Sequence, residues 1–283
     1  MRDGFFGCYF KCQDADKTVA LIPALHVTKG QKTSSLQVVT NDRAWNVPLP
    51  GYAFAKKKDR LHIALGDNVF CARYIRLNLH EKDLDACGYL TFGPLTPLRY
   101  DIMGPFCLVP GMECRHSVYS MGHMVRGSLV INGERYQFDH GRGYMEGDKG
   151  RSFPKEYLWT QCNFGAHSLM LAVADIPLGP LRFTGIIGAV YWQGKEYRFA
   201  TYLGAKVEQL GGGQVVVRQG DFTLRAQMAK PTSHPLYAPK SGAMARIIHE
   251  SPSCRAQYSL KQGKRTLFSF ESPCASFEYE YSV

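Results

Sequence analysis

The sequence predicts an all-β fold, and three observations support that prediction. Runs in which apolar and polar residues alternate recur along the 283 residues, bounded by Gly, Asp, Asn or Pro, and this period of two is typical of half-buried strands. Amphipathic helical periodicity is almost absent. Strands do not alternate regularly with helices, which argues against a parallel α/β sheet. Meander spacing favours up-and-down antiparallel barrels, and the length suits two of them side by side, at 1–165 and 166–283.

The first half of the chain divides into short strands separated by turns. Asn132-Gly133 gives the strongest hairpin pattern, because both residues accept positive φ, and Gly66-Asp67-Asn68 gives another. Residues 41–59 contain Pro48 and Pro50 and are predicted as a loop-rich excursion. Residues 93–115 have no period and are predicted as a long ordered loop, a class that is often functional. The predicted strands are 5–12, 18–27, 35–40, 61–65, 69–79, 86–92, 121–131, 134–139 and 141–146.

The second half continues the same pattern. The glycines at 211–213 lie between two strands rather than before a helix, so they predict a turn and not a phosphate-binding loop. Residues 230–242 contain proline and are predicted as a loop. The predicted strands are 157–164, 168–174, 183–192, 196–202, 205–210, 214–218, 222–227, 244–250, 254–260, 266–271 and 277–281.

Composition limits the class of protein and its partners. The chain is 45% hydrophobic and carries a net charge of +10, but its only dense basic cluster is at 56–58. No nucleic-acid-binding module is recognisable, so we expect no nucleic-acid partner. The simplest interpretation of this charge is a solvated basic surface. Among charged partners, peripheral contact with an anionic membrane surface is preferred to nucleic acid. The oligomeric state stays open.

The cysteines and apolar runs bear on the compartment. Nine cysteines without regular spacing exclude a complete disulfide framework and favour reduced thiols. No apolar run approaches the ~20 residues of a membrane-spanning helix, and because the first residues contain no long apolar stretch we expect no secretory leader. We therefore expect a cytoplasmic protein. A plastid protein whose transit peptide has been removed stays open as a second alternative.

The window 141–164 combines unusual residue types at close spacing. Tyr144 and Glu146 share one face of a predicted strand, and a turn is predicted at 147–150 because glycine stands at both of its ends. After Pro154, alternation resumes from 157 to 164. One face of that strand then carries two aromatic residues followed by two amides, Tyr157, Trp159, Gln161 and Asn163. This mixture is unusual for an ordinary core.

Three blocks of specific residues follow one another along the chain. The first is FGCYFK at 6–11. The second comprises MGPF at 103–106, VP at 109–110 and MECRH at 112–116. The third comprises YMEGD at 144–148, Gly150, FP at 153–154, Trp159 and QCN at 161–163. In this order they resemble the tocopherol cyclase family. The chain departs from the family pattern at Cys8, Lys149 and Tyr157, where the family usually has tryptophan.

The resemblance implies two lipocalin-like barrels and an acid-catalysed cyclisation. Such an enzyme protonates an alkene in an isoprenoid tail, and a phenol oxygen attacks the resulting cation, so no redox cofactor and no metal is needed. The reaction requires a carboxylic acid in an apolar pocket, aromatic faces near the cation and polar groups for the quinol head. A hydrophobic small molecule is the implied ligand.

Candidate residues follow from this chemistry. The predicted proton donor is Glu146 or Asp148, with Tyr144 and Trp159 along the path of the cation. Second-choice participants are Glu113 and His116. The other predicted ligand contacts are two aromatic residues and the two amides, Tyr157, Phe153, Gln161 and Asn163.

Each candidate also has an ordinary structural explanation. The two acids could bond turn amides or pair with Lys149 or Arg151, and the amides could satisfy backbone groups. Trp159 could simply fill a core, and His116 and His123 could be ordinary imidazoles. Two cysteines and two histidines lie close in sequence, but their spacing matches no zinc template; they are Cys107, Cys114, His116 and His123.

Three functions therefore remain under consideration. The first is the cyclase just described. The second is a non-catalytic carrier of a hydrophobic ligand, which the three replaced tryptophans favour. The third is an alkene hydratase, in which water captures the cation instead of a phenol. Product mass separates these functions, because cyclisation preserves mass and hydration adds one water.

Overall fold

A computed structural model describes residues 3–15, 17–57, 59–109, 112–178, 181–229 and 234–281. Lys58, Pro110 and residues 230–233, which enter the sequence predictions, lie outside this part. The described residues form strands and three short 3-10 helices, without an α-helix among them. The all-β prediction is therefore confirmed. In this part of the chain, no helix has the length and apolar character needed to cross a membrane.

The strands of the first sheet come from the first 150 residues. It pairs them antiparallel in the order β4-β3-β2-β1-β11-β10-β9-β8-β7-β6-β5. Its strands are β1 Gly4–Asp14, β2 Lys17–Thr28, β3 Gln31–Thr40, β4 Ala44–Pro50, β5 Phe54–Lys56, β6 His62–Leu65, β7 Asn68–Cys71, β8 Tyr74–Glu81, β9 Leu84–Phe92, β10 Cys114–Ile131 and β11 Glu134–Gly150. Strands from across the sheet contribute to one buried cluster that includes Phe10, Leu36, Ile63 and Met145. The sheet must therefore curve around this core.

The second sheet pairs the remaining strands in the order β15-β14-β13-β12-β21-β20-β18-β17-β16, and β19 joins at β20. Its strands are β12 Tyr157–Phe164, β13 His167–Leu178, β14 Leu181–Trp192, β15 Lys195–Ala200, β16 Lys206–Gly211, β17 Gln214–Gln219, β18 Phe222–Met228, β19 His234–Lys240, β20 Ala243–Gln262 and β21 Arg265–Tyr279. It curves around a second core that includes Leu158, Cys162, Val217 and Tyr258. The 3-10 helices are Gly51–Ala53, Gly104–Leu108 and Thr201–Leu203.

The chain divides into two compact units that exchange segments. The first unit comprises Met1–Pro97, Cys114–Phe153 and Leu236–Ile247, and the second comprises Leu98–Glu113, Pro154–Pro235 and Ile248–Val283. In the first unit, the amide of Gln37 bonds the backbone of Tyr237 in both directions, at 3.0 and 2.9 Å. The predicted domain boundary at residue 165 stays a prediction, because a division by contacts does not test independent folding.

The region 41–59 is not the loop that the sequence predicts. It contains β4, the 3-10 helix Gly51–Ala53 and β5. Pro48 and Pro50 lie within β4, opposite Ser35 and Thr33 of β3. β4 ends the strand order of the sheet, and an edge strand tolerates residues that lack a backbone N–H. The prolines therefore mark a sheet edge here rather than an interruption.

The predicted turn at 147–150 is also wrong. β11 runs through to Gly150 and pairs with β1 on one side and β10 on the other. Gly147 allows a close approach instead of a turn, because a Cβ built there would lie 2.8 Å from Cε2 of Tyr119. The glycine therefore makes room for an aromatic ring beside a continuous strand.

Other differences concern strand length. Three long strands, β11, β20 and β21, are each predicted from the sequence as two shorter strands. The predicted strands are 134–139 and 141–146 for β11, 244–250 and 254–260 for β20, and 266–271 and 277–281 for β21. Register shifts between β20 and β21 at Ser251, Cys254 and Ala256 disturb the alternation that would reveal continuity. Conversely, 69–79 is split between β7 and β8, and the predicted loop 230–242 contains β19.

Candidate functional site

Four side chains on β10 and β11 form one hydrogen-bonded and ion-paired group, which we call the acid cluster: Tyr144, Glu146, Asp148 and His116. His116 Nδ1 lies 3.0 Å from Asp148 Oδ1. Its Nε2 lies 3.2 Å from Glu146 Oε2, at ion-pair distance but with poor hydrogen-bond geometry. The Tyr144 hydroxyl donates to Glu146 Oε2 at 2.6 Å. The imidazole therefore lies between two carboxylates, one of which also holds a phenol.

The strand period explains why these groups meet. Tyr144, Glu146 and Asp148 are two residues apart and share one face of β11, whereas Met145 points into the first core. His116 is the register partner of Asp148 on β10. The acid cluster thus lies on the face opposite the core. It is nevertheless shielded, since Tyr144 is fully buried and Glu146 is 6% exposed.

Strand β1 adds two residues to this face that sequence analysis did not assign. Tyr9 is the register partner of Glu146, and Lys11 is that of Tyr144. Directly opposite residues project to the same face, so both belong beside the acid cluster. Lys11 is fully buried. The alternation within FGCYFK predicts that Tyr9 and Lys11 share one face of their strand. It does not predict which strand lies beside that face.

The charges of the acid cluster are set by competing effects on His116. Burial alone would lower the pKa of its imidazole, but the negative charges of Glu146 and Asp148, and the hydrogen bond to Asp148, raise that pKa well above 6.5. Burial and the adjacent Glu146 raise the pKa of Tyr144 well above 10, so it stays a phenol. At neutral pH the cluster therefore holds an exchangeable proton on an imidazolium.

The acid cluster has the donor set of a metal site. One ligand atom from each of His116, Glu146 and Asp148 lies within 4.8 Å of the others. Each imidazole nitrogen faces a different carboxylate. A metal-bound histidine commonly has one nitrogen on the metal and the other on a carboxylate, so this arrangement fits a bound cation as well as shared protons. Cys114 adds a thiol contact to Asp148, at 3.4 Å.

Two other sequence candidates lie outside the acid cluster. Glu113 occupies irregular chain immediately before β10. His123 lies further along β10, where its Nδ1 is 3.0 Å from Ser120 Oγ and its ring packs edge-on against Phe92. Burial, with a smaller effect of Arg142, lowers the pKa of His123 to about 4. It is therefore a neutral histidine within the first unit.

The predicted ligand contacts on β12 belong to the second unit. Leu158 and Cys162 face its core, as alternation predicts. The opposite face carries Tyr157, Trp159, Gln161 and Asn163, each less than a tenth exposed. Tyr157 donates to Glu278 at 2.5 Å, and Gln161 Nε2 donates to Asn163 Oδ1 at 3.3 Å.

Two further observations concern these predicted contacts. Gln161 Oε1 is buried without a hydrogen-bond partner among the described residues. A buried amide oxygen of this kind is costly unless a donor reaches it. Phe153 belongs to the first unit, where it packs edge-on against Phe5 at 5.5 Å.

Sequence comparison places the chain among known proteins. The family model described as tocopherol cyclase-like matches residues 110–279. A probable chloroplastic tocopherol cyclase of Oryza sativa is 26% identical over 120 residues, which cover 40% of this chain and 26% of that protein. The chloroplastic tocopherol cyclase of Zea mays is 23% identical over 141 residues, covering 47% and 26%. The matches thus span about a quarter of each plant protein.

Solved structures share the fold at low sequence identity. A candidate AttH protein of Nitrosomonas europaea aligns with a TM-score of 0.57 and 11% identity, covering all of this chain and 93% of that one. Kievitone hydratase of Nectria haematococca aligns with a TM-score of 0.56 and 7% identity, covering 98% and 89%. These similarities confirm the predicted lipocalin-like antiparallel fold. With the family model spanning more than half of the sequence, the chain belongs to the tocopherol cyclase-like family.

Proposed function

We propose that this protein is an acid catalyst acting on an alkenyl group of a small apolar molecule, and that it cyclises a prenylated quinol or a similar compound. The observation that carries the proposal is the acid cluster, in which the His116 imidazolium is held between Glu146 and Asp148. Its proton is present at neutral pH because the pKa of His116 is raised. Family membership supports the same reaction class.

The proposed reaction is a net isomerisation. A proton passes from the acid cluster to one alkene carbon, and the π electrons form the new C–H bond. The more substituted carbon becomes a cation. The phenol oxygen of the substrate then forms a C–O bond to that carbon and loses its proton, which returns to the cluster. All atoms and electrons balance within substrate and cluster, so the reaction needs no oxidant or reductant.

The cluster residues have distinct roles in this proposal. Glu146 accepts a hydrogen bond from the Tyr144 hydroxyl and lies at ion-pair distance from His116 Nε2, so we assign it the relay of the proton. Asp148 fixes the ring orientation of His116 and offsets its positive charge. Burial of Tyr144 and Glu146 limits water, which would otherwise capture the proton or the cation.

The residues on β12 are proposed as contacts of the ligand. Trp159 and Tyr157 offer aromatic faces that stabilise positive charge. Gln161 supports a role in binding a hydroxyl, because its buried Oε1 has no donor among the described residues. A quinol hydroxyl would supply that donor. The ligand is hydrophobic, and we propose that the basic chain collects it from an anionic membrane surface.

Hydration is the second candidate reaction. The kievitone hydratase whose fold this chain shares is named for addition of water. The acid cluster would protonate an alkene equally well for that reaction, with water capturing the cation. The product would then be heavier than the substrate by one water.

The test is incubation of the protein with a panel of prenylated hydroquinones, followed by mass-resolved chromatography. Cyclisation predicts a product of unchanged mass and shifted retention, which is lost in His116→Gln and Glu146→Gln. His80→Gln is the matched control, because His80 forms an exposed pair with Asp85 at 2.5 Å in the same unit. A ligand that binds and is recovered unchanged would contradict catalysis and favour a carrier.

A further inference from the structure

Three exposed apolar side chains lie on two short 3-10 helices of the second unit, and we call them the apolar patch: Pro105, Leu108 and Leu203. Leu108 is at the end of the helix Gly104–Leu108 and is 83% exposed. Leu203 is at the end of the helix Thr201–Leu203 and is 43% exposed. Pro105 is also exposed. A group of exposed apolar residues indicates a contact site, whereas a single one does not.

Aromatic packing brings the two helices together. The Phe106 ring lies edge-on against Tyr202, with ring centroids 5.6 Å apart, and it also packs against Phe183 of β14 at 5.6 Å. Gly104 has a φ of +51°, and a Cβ built there would overlap the ring of Tyr202. A glycine is therefore required where the first helix begins. Because these contacts join the helices directly, the patch residues lie close together.

The chain that precedes the patch is held by a buried ion pair. Arg198 and Glu196 pair at 2.6 Å, and both side chains are 7% exposed. The guanidinium of Arg198 also donates to the carbonyl oxygens of Tyr100 and Asp101, and its Cζ lies 4.0 Å from the centroid of the Tyr100 ring. The Asp101 carboxylate accepts from the backbone N–H of Met103 at 2.9 Å. These contacts fix the loop on the second unit while its apolar residues face solvent.

The charges near the patch favour a negatively charged partner. On neighbouring strands, Asp175 is paired with Arg182 at 2.7 Å, and Glu208 is paired with Arg218 at 3.2 Å. Lys206 begins β16, three residues after the patch ends, and is exposed. Within the described residues, it has no carboxylate at ion-pair distance. These two acids are therefore neutralised, and one lysine is left available to an anion.

We propose that the apolar patch enters the headgroup layer of an anionic membrane, with Lys206 next to an anionic headgroup. Leucine and proline side chains leave water there, and anionic lipids attract a basic residue close to the surface. A second copy of this chain is a poorer partner. The exposed parts of the three patch residues amount to a few hundred Å² at most, whereas a stable interface buries ~800 Å² on each partner.

This inference rests on the proposed function in one respect, since it gives the apolar ligand a route from the membrane to the protein. The two are nevertheless tested separately. Vesicle binding is measured without any substrate, and turnover is measured without vesicles on a short-chain prenylated hydroquinone that dissolves in water. Leu108→Ser should keep the turnover of the wild type in that assay, because the patch belongs to the second unit and the acid cluster to the first.

The binding test is sedimentation with vesicles of phosphatidylcholine, with and without phosphatidylserine. We expect the wild type to bind the vesicles that contain phosphatidylserine. Leu108→Ser should weaken that binding about three- to tenfold, because a leucine side chain no longer leaves water. Lys206→Gln should weaken it about fivefold and should leave binding to pure phosphatidylcholine unchanged, because that lipid carries no net charge.

A third variant gives a positive readout, and two controls keep the test specific. Leu108→Trp should retain binding, and phosphatidylcholine brominated near the top of its acyl chains should quench its fluorescence more than that of the wild type. Lys195 is exposed at the start of β15, whereas the patch follows the other end of that strand, about 17 Å away. Tyr52 is 90% exposed on the 3-10 helix Gly51–Ala53 of the first unit. Lys195→Gln and Tyr52→Ser should both bind vesicles like the wild type.

Three results would overturn the proposal. The first is vesicle binding by Leu108→Ser that equals that of the wild type. The second is an equal loss of binding in Tyr52→Ser, which would assign the effect to exposed apolar surface in general. The third is a dimer in sedimentation velocity that Leu108→Ser abolishes, which would assign the patch to a second copy of the chain. A wild type that binds vesicles but converts no substrate would contradict the proposed reaction alone.

Discussion

His116 and Asp148 face each other across β10 and β11, with 3.0 Å between Nδ1 and Oδ1. The contact orients the imidazole so that its other nitrogen faces Glu146. Asp148 thus fixes the orientation of the imidazole, and Glu146 is placed to receive the proton on its Nε2. The arrangement depends on strand register, because the two residues are directly paired.

The charge on Asp148 should be measurable through His116. Asp148→Asn removes one of the two negative charges that raise the pKa of the imidazole, so that pKa should decrease. It should stay above the value of a buried histidine without acidic neighbours. The measurement is an NMR titration of the histidine side chains, with His80→Gln used to assign the exposed histidine. An unchanged His116 titration would contradict the ion-paired geometry.

The acid cluster should also make stability depend on pH. The pKa of His116 is well above 6.5 in the folded protein and near 6.5 in the unfolded chain. The ion pairs of His116 therefore stabilise the folded protein fully below pH 6.5. This stabilisation decreases as the pH rises through the pKa of His116 in the folded state.

Urea unfolding over a pH series tests this dependence. The stability advantage of the wild type over His116→Gln should shrink by about 1.4 kcal/mol per pH unit in that window. An advantage that grows with pH would show that the imidazole is neutral in the folded state.

The buried His26 should make the protein less stable as the pH falls, which is the opposite of the effect of His116. Burial lowers the pKa of its imidazole from 6.5 to about 4. Between these values the unfolded chain binds more protons, so stability should fall as the pH falls. His26→Gln, which can keep the contact to Ser35, should flatten this acid limb in thermal unfolding. His80→Gln is the exposed control, and an identical acid limb in both variants would contradict the assignment.

Gly147 should be intolerant of a side chain. A Cβ at this position would lie 2.8 Å from Cε2 of Tyr119 and 3.1 Å from the carbonyl oxygen of Gly7. Gly147→Ala should therefore cost about 1–3 kcal/mol of unfolding free energy. The same displacement should reduce turnover, since Glu146 and Asp148 flank the glycine. Gly133→Ala lies at an open hairpin turn and serves as a comparison for backbone strain alone.

Local sequence patterns predicted most of the strands, and the reasons are physical. Asn132 and Gly133 have φ values of 48° and 83°, as the predicted two-residue hairpin requires. Alternation along β12 separated its core face from its polar face correctly. Gly147 was misinterpreted because glycine serves both turns and close contacts, and only the neighbour, Tyr119, decides which applies.

The acid cluster was only partly predictable for a related reason. Tyr144 and Glu146 are two residues apart, so their shared face follows from the sequence. The alignment of His116 with them depends on the register of β10 against β11, which shifts at Val118 and Ser120. Lys11 reaches this face through pairing between strands far apart in sequence. No local pattern encodes either relationship.

The exchange of segments between the two units has a consequence for synthesis of the chain. The first unit includes Leu236–Ile247, and Gln37 pairs there with Tyr237, which is 200 residues later. During translation, β1 to β11 must therefore leave the ribosome well before the first unit can be completed. A nascent chain stopped after Phe153 would lack the hydrogen-bond partners that this late segment supplies to Gln37, Arg151 and Phe153.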